Sequence, residues 1–550
     1  MTERPTGSET LPTGVPNLDA VLGGGLRRGA LAILMGPPGS GKTILAGQMS
    51  FAAARRGQRV LVLTALSEPT TKLLEHWRTF RFFEPALVGD TVQVMSARQF
   101  LDGGLDAAAE AVIGNAQELR ARFVVLDGFS GLRWAGRNEH EARGFLYEIG
   151  TTLGLQGATV VMTTVGDARD AAYFADLTIP DVIVSLHHNL MGTVARRRLE
   201  VVKVRAAEPW PGLHALALSD AGAAVYPRLE ARVGEAVRRS VANVRGGVLS
   251  AERQGAAANP ADMAAAPAGR ASFGLPELDA LLDGGLVRET STLLAGSVGV
   301  GKTAMALHFA LAGARAGEPT IYLSFRETID QLLLRADAFA LGPELRRAAA
   351  DGGTLTFLRF APIELDPDMM ADQLLAVLDR TAARRLVIDS ILELERAVVE
   401  ADGPGRLANY TAALLEALWQ RRVTALALRE THSLVANELL LPADPFSMLS
   451  ENVVLLQQVR LESALHRVLS VVKTRFSAHD PTLREFTIQP SAGIRVLSRE
   501  DSGVEELVGL AEQRGGLAAR TGREARRNNT SRRRQGQPRA VRAGRGQESP

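Results

Sequence analysis

Cysteine is absent from all 550 residues, which excludes disulfides, thiolate metal sites and cysteine nucleophiles. Long hydrophobic runs are missing too. No stretch approaches the ~20 apolar residues that a membrane-spanning helix needs, and the opening MTERPTGSET has no apolar signal core. A cytoplasmic protein with no membrane partner is expected. Lysine is the most informative scarcity. Of 63 basic residues only Lys42, Lys72, Lys203, Lys302 and Lys473 are lysine. The chain has otherwise settled on arginine, so a surviving lysine marks a place where a planar guanidinium cannot replace a compact ammonium. Lys72 alone looks like an ordinary helix-surface charge.

What is present is a sentence written twice. Gly36-Pro37-Pro38-Gly39-Ser40-Gly41-Lys42-Thr43 and Gly296-Ser297-Val298-Gly299-Val300-Gly301-Lys302-Thr303 both fit G-x-x-x-x-G-K-[ST]. In such a loop the glycines turn backbone N–H groups onto the α- and β-phosphates. The lysine reaches the β/γ-phosphates and the threonine hydroxyl ligates Mg²⁺. ATP with Mg²⁺ is the first ligand to expect. Two further lysines lie in a second repeated phrase, Val-Val-Lys203-Val-Arg205 and Val-Val-Lys473-Thr-Arg475.

The repeat divides the chain into residues 1–246, a linker at 247–271, a second unit at 272–500 and a tail at 501–550. Each unit opens on the same phrase, with Gly14-Val15-Pro16-Asn17-Leu18-Asp19 answered by Gly274-Leu275-Pro276-Glu277-Leu278-Asp279. Short apolar strands then alternate with helical stretches: Leu31 to Met35, Arg59 to Leu63, Val92 to Met95, Phe123 to Asp127 and Thr159 to Thr163. Their counterparts are Thr292 to Ala295, Thr320 to Ser324, Thr354 to Leu358, Arg385 to Asp389 and Val423 to Leu428. This alternation predicts an α/β fold, duplicated, with a mainly parallel sheet and crossover helices on both faces. Close-spaced strands around 181–186, 199–205 and 213–227, echoed at 452–459, 468–475 and 484–497, predict an antiparallel extension. The linker is rich in Ala, Gly and Pro and lacks periodicity. Residues 514–550 hold eleven arginines and two glutamates, a charge of +9 that leaves −7 on the rest of a chain whose total is +2. With almost no large apolar residues, the tail should be disordered and make only non-specific contacts with nucleic acid or acidic surfaces.

Apolar strands that end in Asp127 and Asp389 lie 85 and 87 residues beyond their P-loop lysines. An aspartate so placed completes the Mg²⁺ shell of a P-loop enzyme. Glu68 and Glu327 follow those lysines by 26 and 25 residues at the end of the second strand. They are the candidates for orienting or deprotonating an attacking water.

In this order the elements resemble the KaiC family of RecA-like ATPases over residues 12 to 500. The run Lys473-Thr474-Arg475-Phe476-Ser477-Ala478-His479-Asp480, followed by Arg484-Glu485-Phe486, is similar to the family's late K-x-R-x-S-x-H-D…R-E-F segment. The resemblance implies a homohexameric ring with ATP at subunit boundaries, and a signalling partner. It also implies that Lys203, Arg205, Lys473 and Arg475 reach the γ-phosphate held by the neighbouring subunit. Clock-type members carry two adjacent glutamates at the strand end, where this chain has Ser67 and Arg326 ahead of Glu68 and Glu327. They also carry neighbouring serine and threonine phosphoacceptors, where this chain has Ser447 followed by Met448, with Ser450 as a second choice. Arg326 is expected to lower the proton affinity of Glu327, leaving serine autokinase activity slow and confined to one site while hydrolysis dominates.

A DNA-acting relative of the same core would line its pore with basic loops. The loops in question mix Arg133 and Arg137 with Glu139 and Glu141, and Arg169 with Asp167, Asp170 and Asp176, so they show no positive excess. A scaffold that uses ATP only as glue is the remaining alternative.

Overall fold

The computed structural model describes residues 10–64, 69–98, 100, 104–128, 139–169, 176–191, 193–245, 269–431, 444–461, 464–490 and 493–498. The tail, most of the linker and Glu68 lie outside them.

In the first half a short antiparallel pair, β1 (Thr10–Leu11) and β2 (Leu26–Arg27), ties down the entry phrase. The sheet strands follow: β3 (Leu31–Met35), β4 (Val60–Thr64), β5 (Val92–Ser96), β6 (Phe123–Asp127), β7 (Thr159–Thr164), β8 (Val182–Met191), β9 (Val194–Val204), β10 (His214–Ser219) and β11 (Gly222–Tyr226). The second half repeats the plan with β12 (Arg270–Ala271) and β13 (Leu286–Val287). Its sheet comprises β14 (Ser291–Gly296), β15 (Thr320–Ser324), β16 (Leu355–Arg359), β17 (Arg385–Asp389), β18 (Thr424–Glu430), β19 (Asn452–Leu461), β20 (Ala464–Lys473), β21 (Arg484–Gln489) and β22 (Gly493–Val496).

The two strand orders are identical. They read β5-β4-β6-β7-β3-β8-β9-β10-β11 and β16-β15-β17-β18-β14-β19-β20-β21-β22. The first six strands of each run parallel and the last three antiparallel. Runs such as Leu-Ala-Ile-Leu-Met in β3 and Phe-Val-Val-Leu-Asp in β6 are buried at every residue, because helices cover both faces of a parallel sheet. Each sheet consequently has two hydrophobic layers. A fully buried Leu or Val there contributes about 1.5–3 kcal/mol. The α/β fold with two mostly parallel sheets is the one expected from the sequence. The hairpins β8–β9 and β19–β20 run several residues longer than their apolar segments suggest, since their distal residues are polar and reach out over the phosphate loops.

The helix Leu229–Arg245, which follows β11, lies on the second domain. Its Leu229 and Val233 join the apolar layer that holds Leu414 and Leu418. Around this contact, Arg406 bonds Glu230 (2.7 Å), Asp368 (2.6 Å) and Asp402 (2.5 Å). Arg198 bonds Asp366 at 2.6 Å, and Arg232 bonds Asp372 at 2.8 Å. The junction between the halves is thus a largely buried ion network. No helix among the described residues is long and apolar enough to cross a membrane.

Candidate nucleotide sites

Each phosphate loop sits where β3 or β14, central in its sheet, passes into a helix: Lys42–Arg55 in the first domain and Lys302–Arg315 in the second. Both helices are alanine-rich and buried on all sides, which lets them pass beneath the sheet at short range. Gly36 and Gly296 are required by the same crowding: a Cβ there would meet Leu186 O at 2.3 Å or Leu456 O at 2.6 Å. Gly41 (φ 104°) and Gly301 (φ 120°) cap the helices from left-handed backbone, where a side chain is strained. Neither cap supplies a side-chain acceptor, so the first N–H groups of each helix stay open to an anion.

Lys42 Nζ curls back onto Gly36 O and Pro37 O, both at 2.8 Å, and Lys302 Nζ onto Gly296 O (2.9 Å) and Ser297 O (2.8 Å). Burial holds both ammonium groups below the ordinary lysine range, against the upward pull of Asp127 on Lys42 and of Glu430 and Asp389 on Lys302. At the next residue, Thr43 Oγ1 meets Asp127 at 3.1 Å and Thr303 Oγ1 meets Asp389 at 3.1 Å. The two pairs expected to share a Mg²⁺ are therefore together in both domains.

The second site opens into a cavity of about 410 Å³ lined by Lys302, Thr303, Arg326, Glu327, Asp389 and Glu430, with Phe339 and Ile488 as apolar wall. Glu327 Oε1 pairs with Arg335 at 2.5 Å, while its Oε2 is buried without a hydrogen-bond partner. Burial raises the proton affinity of Glu327, Arg335 opposes this, and Asp389 adds to it. The expectation for Arg326 is corrected by this geometry. Its guanidinium turns away from Glu327 to bond Glu393 at 2.6 Å and Glu430 at 3.3 Å, so Glu327 becomes a stronger base rather than a weaker one. Glu68 lies outside the described residues.

The K-x-R phrases sit on the third strand from the sheet edge, towards the strand ends opposite the phosphate loops. Lys203 pairs with Ile183 in β8, and Ile183 with Ile33 in β3, three residues below Gly36. Lys473, Val453 and Leu293 repeat the arrangement. In both domains the register shifts just before the lysine, and this bulge at Val202 or Val472 re-aims it. Lys203 Nζ then binds Leu177 O (3.1 Å) and Thr178 O (3.0 Å), and Lys473 Nζ binds Ser450 O at 2.6 Å. Arg205 pairs with Asp181 at 3.2 Å, and Arg475 is exposed. A cavity of about 640 Å³ at this end of the first domain is lined by Arg27, Arg28, Asp181 and Arg205. Three to five strand residues are about 10–17 Å, so these cations do not meet the phosphate loop of their own domain.

Ser447 is 9% exposed and its hydroxyl donates to Asp444 O at 3.1 Å; Ser450 is fully buried. Several site residues escaped sequence reasoning. Thr163 donates to Asp127 at 2.5 Å and Tyr322 to Asp389 at 2.9 Å, both from neighbouring strands. Tyr322 shares a strand face with Ser324, a period-two signal that could have found it. Glu393 and Glu430 become neighbours of Arg326 only through the crossovers, while Arg335 reaches Glu327 from the helix that follows it.

A family model described as "ATPase: KaiC" matches residues 11–230 and 271–501. The chain is 23% identical to the circadian clock protein KaiC3 of Synechocystis sp., over 88% of this chain and 90% of that protein. It is 22% identical to the circadian clock oscillator protein KaiC of Parathermosynechococcus lividus, over 88% and 84%. Against the protein of the same name from Synechococcus elongatus it is 23% identical, over 86% and 87%.

Proposed function

Because the chain belongs to the KaiC family of ATPases, we propose that it binds Mg²⁺-ATP at both phosphate loops and hydrolyses it as a regulatory module in the cytoplasm. The observation that carries this is the doubled Thr–Asp pair, Thr43 with Asp127 and Thr303 with Asp389, in the first turn of a helix whose N-terminal amides have no side-chain cap. A divalent cation fits there. The donors are hard oxygens, and the buried Ser390 Oγ and Glu327 Oε2 beside the second pair are without partners. Thr43 with Asp127 and Thr303 with Asp389 would hold Mg²⁺, which would supply charge neutralisation for the phosphates.

The protein supplies the rest. Lys42 and Lys302 exchange loop carbonyls for phosphate oxygens. Glu327 accepts a hydrogen bond from the attacking water through its free oxygen, and Glu68 is assigned the same part in the first domain. Phe339 and Ile488 cover the base. Lys203, Arg205, Lys473 and Arg475 act on the γ-phosphate held by a neighbour, in a homohexamer, because the strand register keeps them from their own. The cavity around Arg27, Arg28 and Arg205 is the matching receptor surface. Phosphate transfer to Ser447 is minor in this reading, since its hydroxyl is tied to Asp444 O and nearly covered.

Incubation of the purified protein with γ-labelled ATP tests the proposal. Released phosphate should dominate, with slow label at a single serine. Label accumulating on protein with little free phosphate identifies a kinase, and retention of intact ATP identifies a scaffold.

A further inference from the structure

Arg326 is unused by this account, although it lines the second cavity beside Lys302 and Glu430. Two carboxylates hold it unequally. Glu393, 6% exposed, binds it through Nε (2.8 Å) and Nη2 (2.6 Å). Glu430, 31% exposed, meets Nη1 only at 3.3 Å, and the arginine side chain itself is 52% exposed. One side of the guanidinium is therefore fixed while the other is weakly engaged and open to the cavity. Lys302 experiences both Arg326 and Glu430 as neighbouring charges, which places the three groups at the mouth of the phosphate loop.

The charges around the cavity call for such a group. Arg335 is committed to Glu327, and Asp389 to the threonine and the cation it would share. Of the lining cations, Lys302 and Arg326 remain for phosphate. A triphosphate brings one more anionic group than a diphosphate, and a guanidinium whose Nη1 is held only at 3.3 Å by Glu430 suits its oxygens.

We propose that Arg326 binds the γ-phosphate of a nucleoside triphosphate in its own subunit, giving up Glu430 while Glu393 keeps it oriented. The second site thereby distinguishes triphosphate from diphosphate. This rests on the nucleotide-site reading above. The first domain has Ser67 at the matching sequence position and lacks the group.

The test uses full-length protein carrying Lys42→Ala, so that only the second site reports, with fluorescent ADP and a β,γ-imido ATP analogue as probes. Arg326→Ala should weaken the analogue about 10-fold or more and leave ADP within about 2-fold, the loss of one charge-assisted contact. Arg326→Lys should recover part of the loss, and Glu430→Gln should tighten the analogue more than ADP. Retained ADP affinity also certifies that each variant is folded. An Arg326→Ala protein that changes both nucleotides alike, or neither, overturns the assignment. A Lys42→Ala parent that binds neither nucleotide overturns the nucleotide-site reading, and the assignment with it.

Discussion

At the scale of single residues, the paired lysines are the sharpest test of the two-site reading. Lys42→Ala and Lys302→Ala should each remove half of the ATP-binding capacity, and the double variant all of it, because the β/γ charge is left without its compact counter-ion. Equilibrium binding with a fluorescent ATP analogue checks this; near-full capacity in the double variant would exclude the phosphate loops. Glu327 carries a pH signature. Burial raises its pKa above the ordinary 4.5, so in the Lys42→Ala background the acid limb of hydrolysis should lie above pH 4.5 and activity should fall as pH drops through it. Glu327→Gln should remove that limb and cost roughly 10²–10⁴-fold in rate. An unchanged profile would reassign the base.

At the scale of elements, each domain closes a strand with a neutral histidine. His308 Nε2 accepts from Ile494 N at 3.2 Å on β22, and His214 Nδ1 accepts from Arg228 N at 3.0 Å beyond β11. Burial pushes both down to about 4 from 6.5. Between those values the unfolded chain binds more protons than the folded one. Stability is therefore full above about pH 6.5 and falls as pH drops towards 4, by up to about 3 kcal/mol per histidine. Asp368, pushed up to about 6 chiefly by burial against the pull of Arg406, works in the opposite sense. A comparison of wild type with His308→Gln by urea unfolding at several pH values isolates the histidine contribution, and parallel curves would refute it. Arg406→Ala should cost about 3–5 kcal/mol, chiefly by leaving Asp368 buried without its cation, since Glu230 keeps Arg228 at 3.4 Å. The loss should show first as early proteolysis at the domain junction.

These elements differ in how plainly the sequence announces them. The core strands are continuous apolar runs bounded by turns, and the expected Leu31 to Met35, Phe123 to Asp127 and Arg385 to Asp389 coincide with β3, β6 and β17. The phosphate loops are legible because their spacing is fixed by local chain geometry, and the Asp partners because each ends an apolar strand at nearly the same distance from its loop in both halves. Glu393 and Glu430 meet Arg326 only after the crossovers bring helix and strand ends together, and no period encodes that. Arg326 was misjudged for the same reason: adjacency in sequence suggested that it acts on Glu327, whereas beyond the end of β15 the two side chains take different partners, Arg326 pairing with Glu393 and Glu430 and Glu327 with Arg335.

At the scale of the whole molecule, the proposed hexamer, with catalysis across subunit boundaries, makes a complementation test possible. One variant, Lys42→Ala with Lys302→Ala, keeps its K-x-R phrases. The other, with Lys203, Arg205, Lys473 and Arg475 all changed to Ala, keeps its phosphate loops. Each alone should be inactive. An equal mixture, annealed with Mg²⁺-ATP, should regain activity at about a quarter of its boundaries, and a mixture that stays dead would exclude catalysis in trans. Light scattering should show ATP-dependent hexamers. Deletion of residues 514–550 should leave turnover unchanged while weakening salt-sensitive retention on nucleic acid.

The register that sets Lys203 three residues below Gly36, and Lys473 three below Gly296, also determines how the rate depends on the amount of protein. With catalysis in trans, as proposed, an isolated chain would hold two half-sites of each kind and no finished one. Specific activity should accordingly rise with protein concentration and collapse on dilution, so that turnover per chain becomes a gauge of how many copies have met.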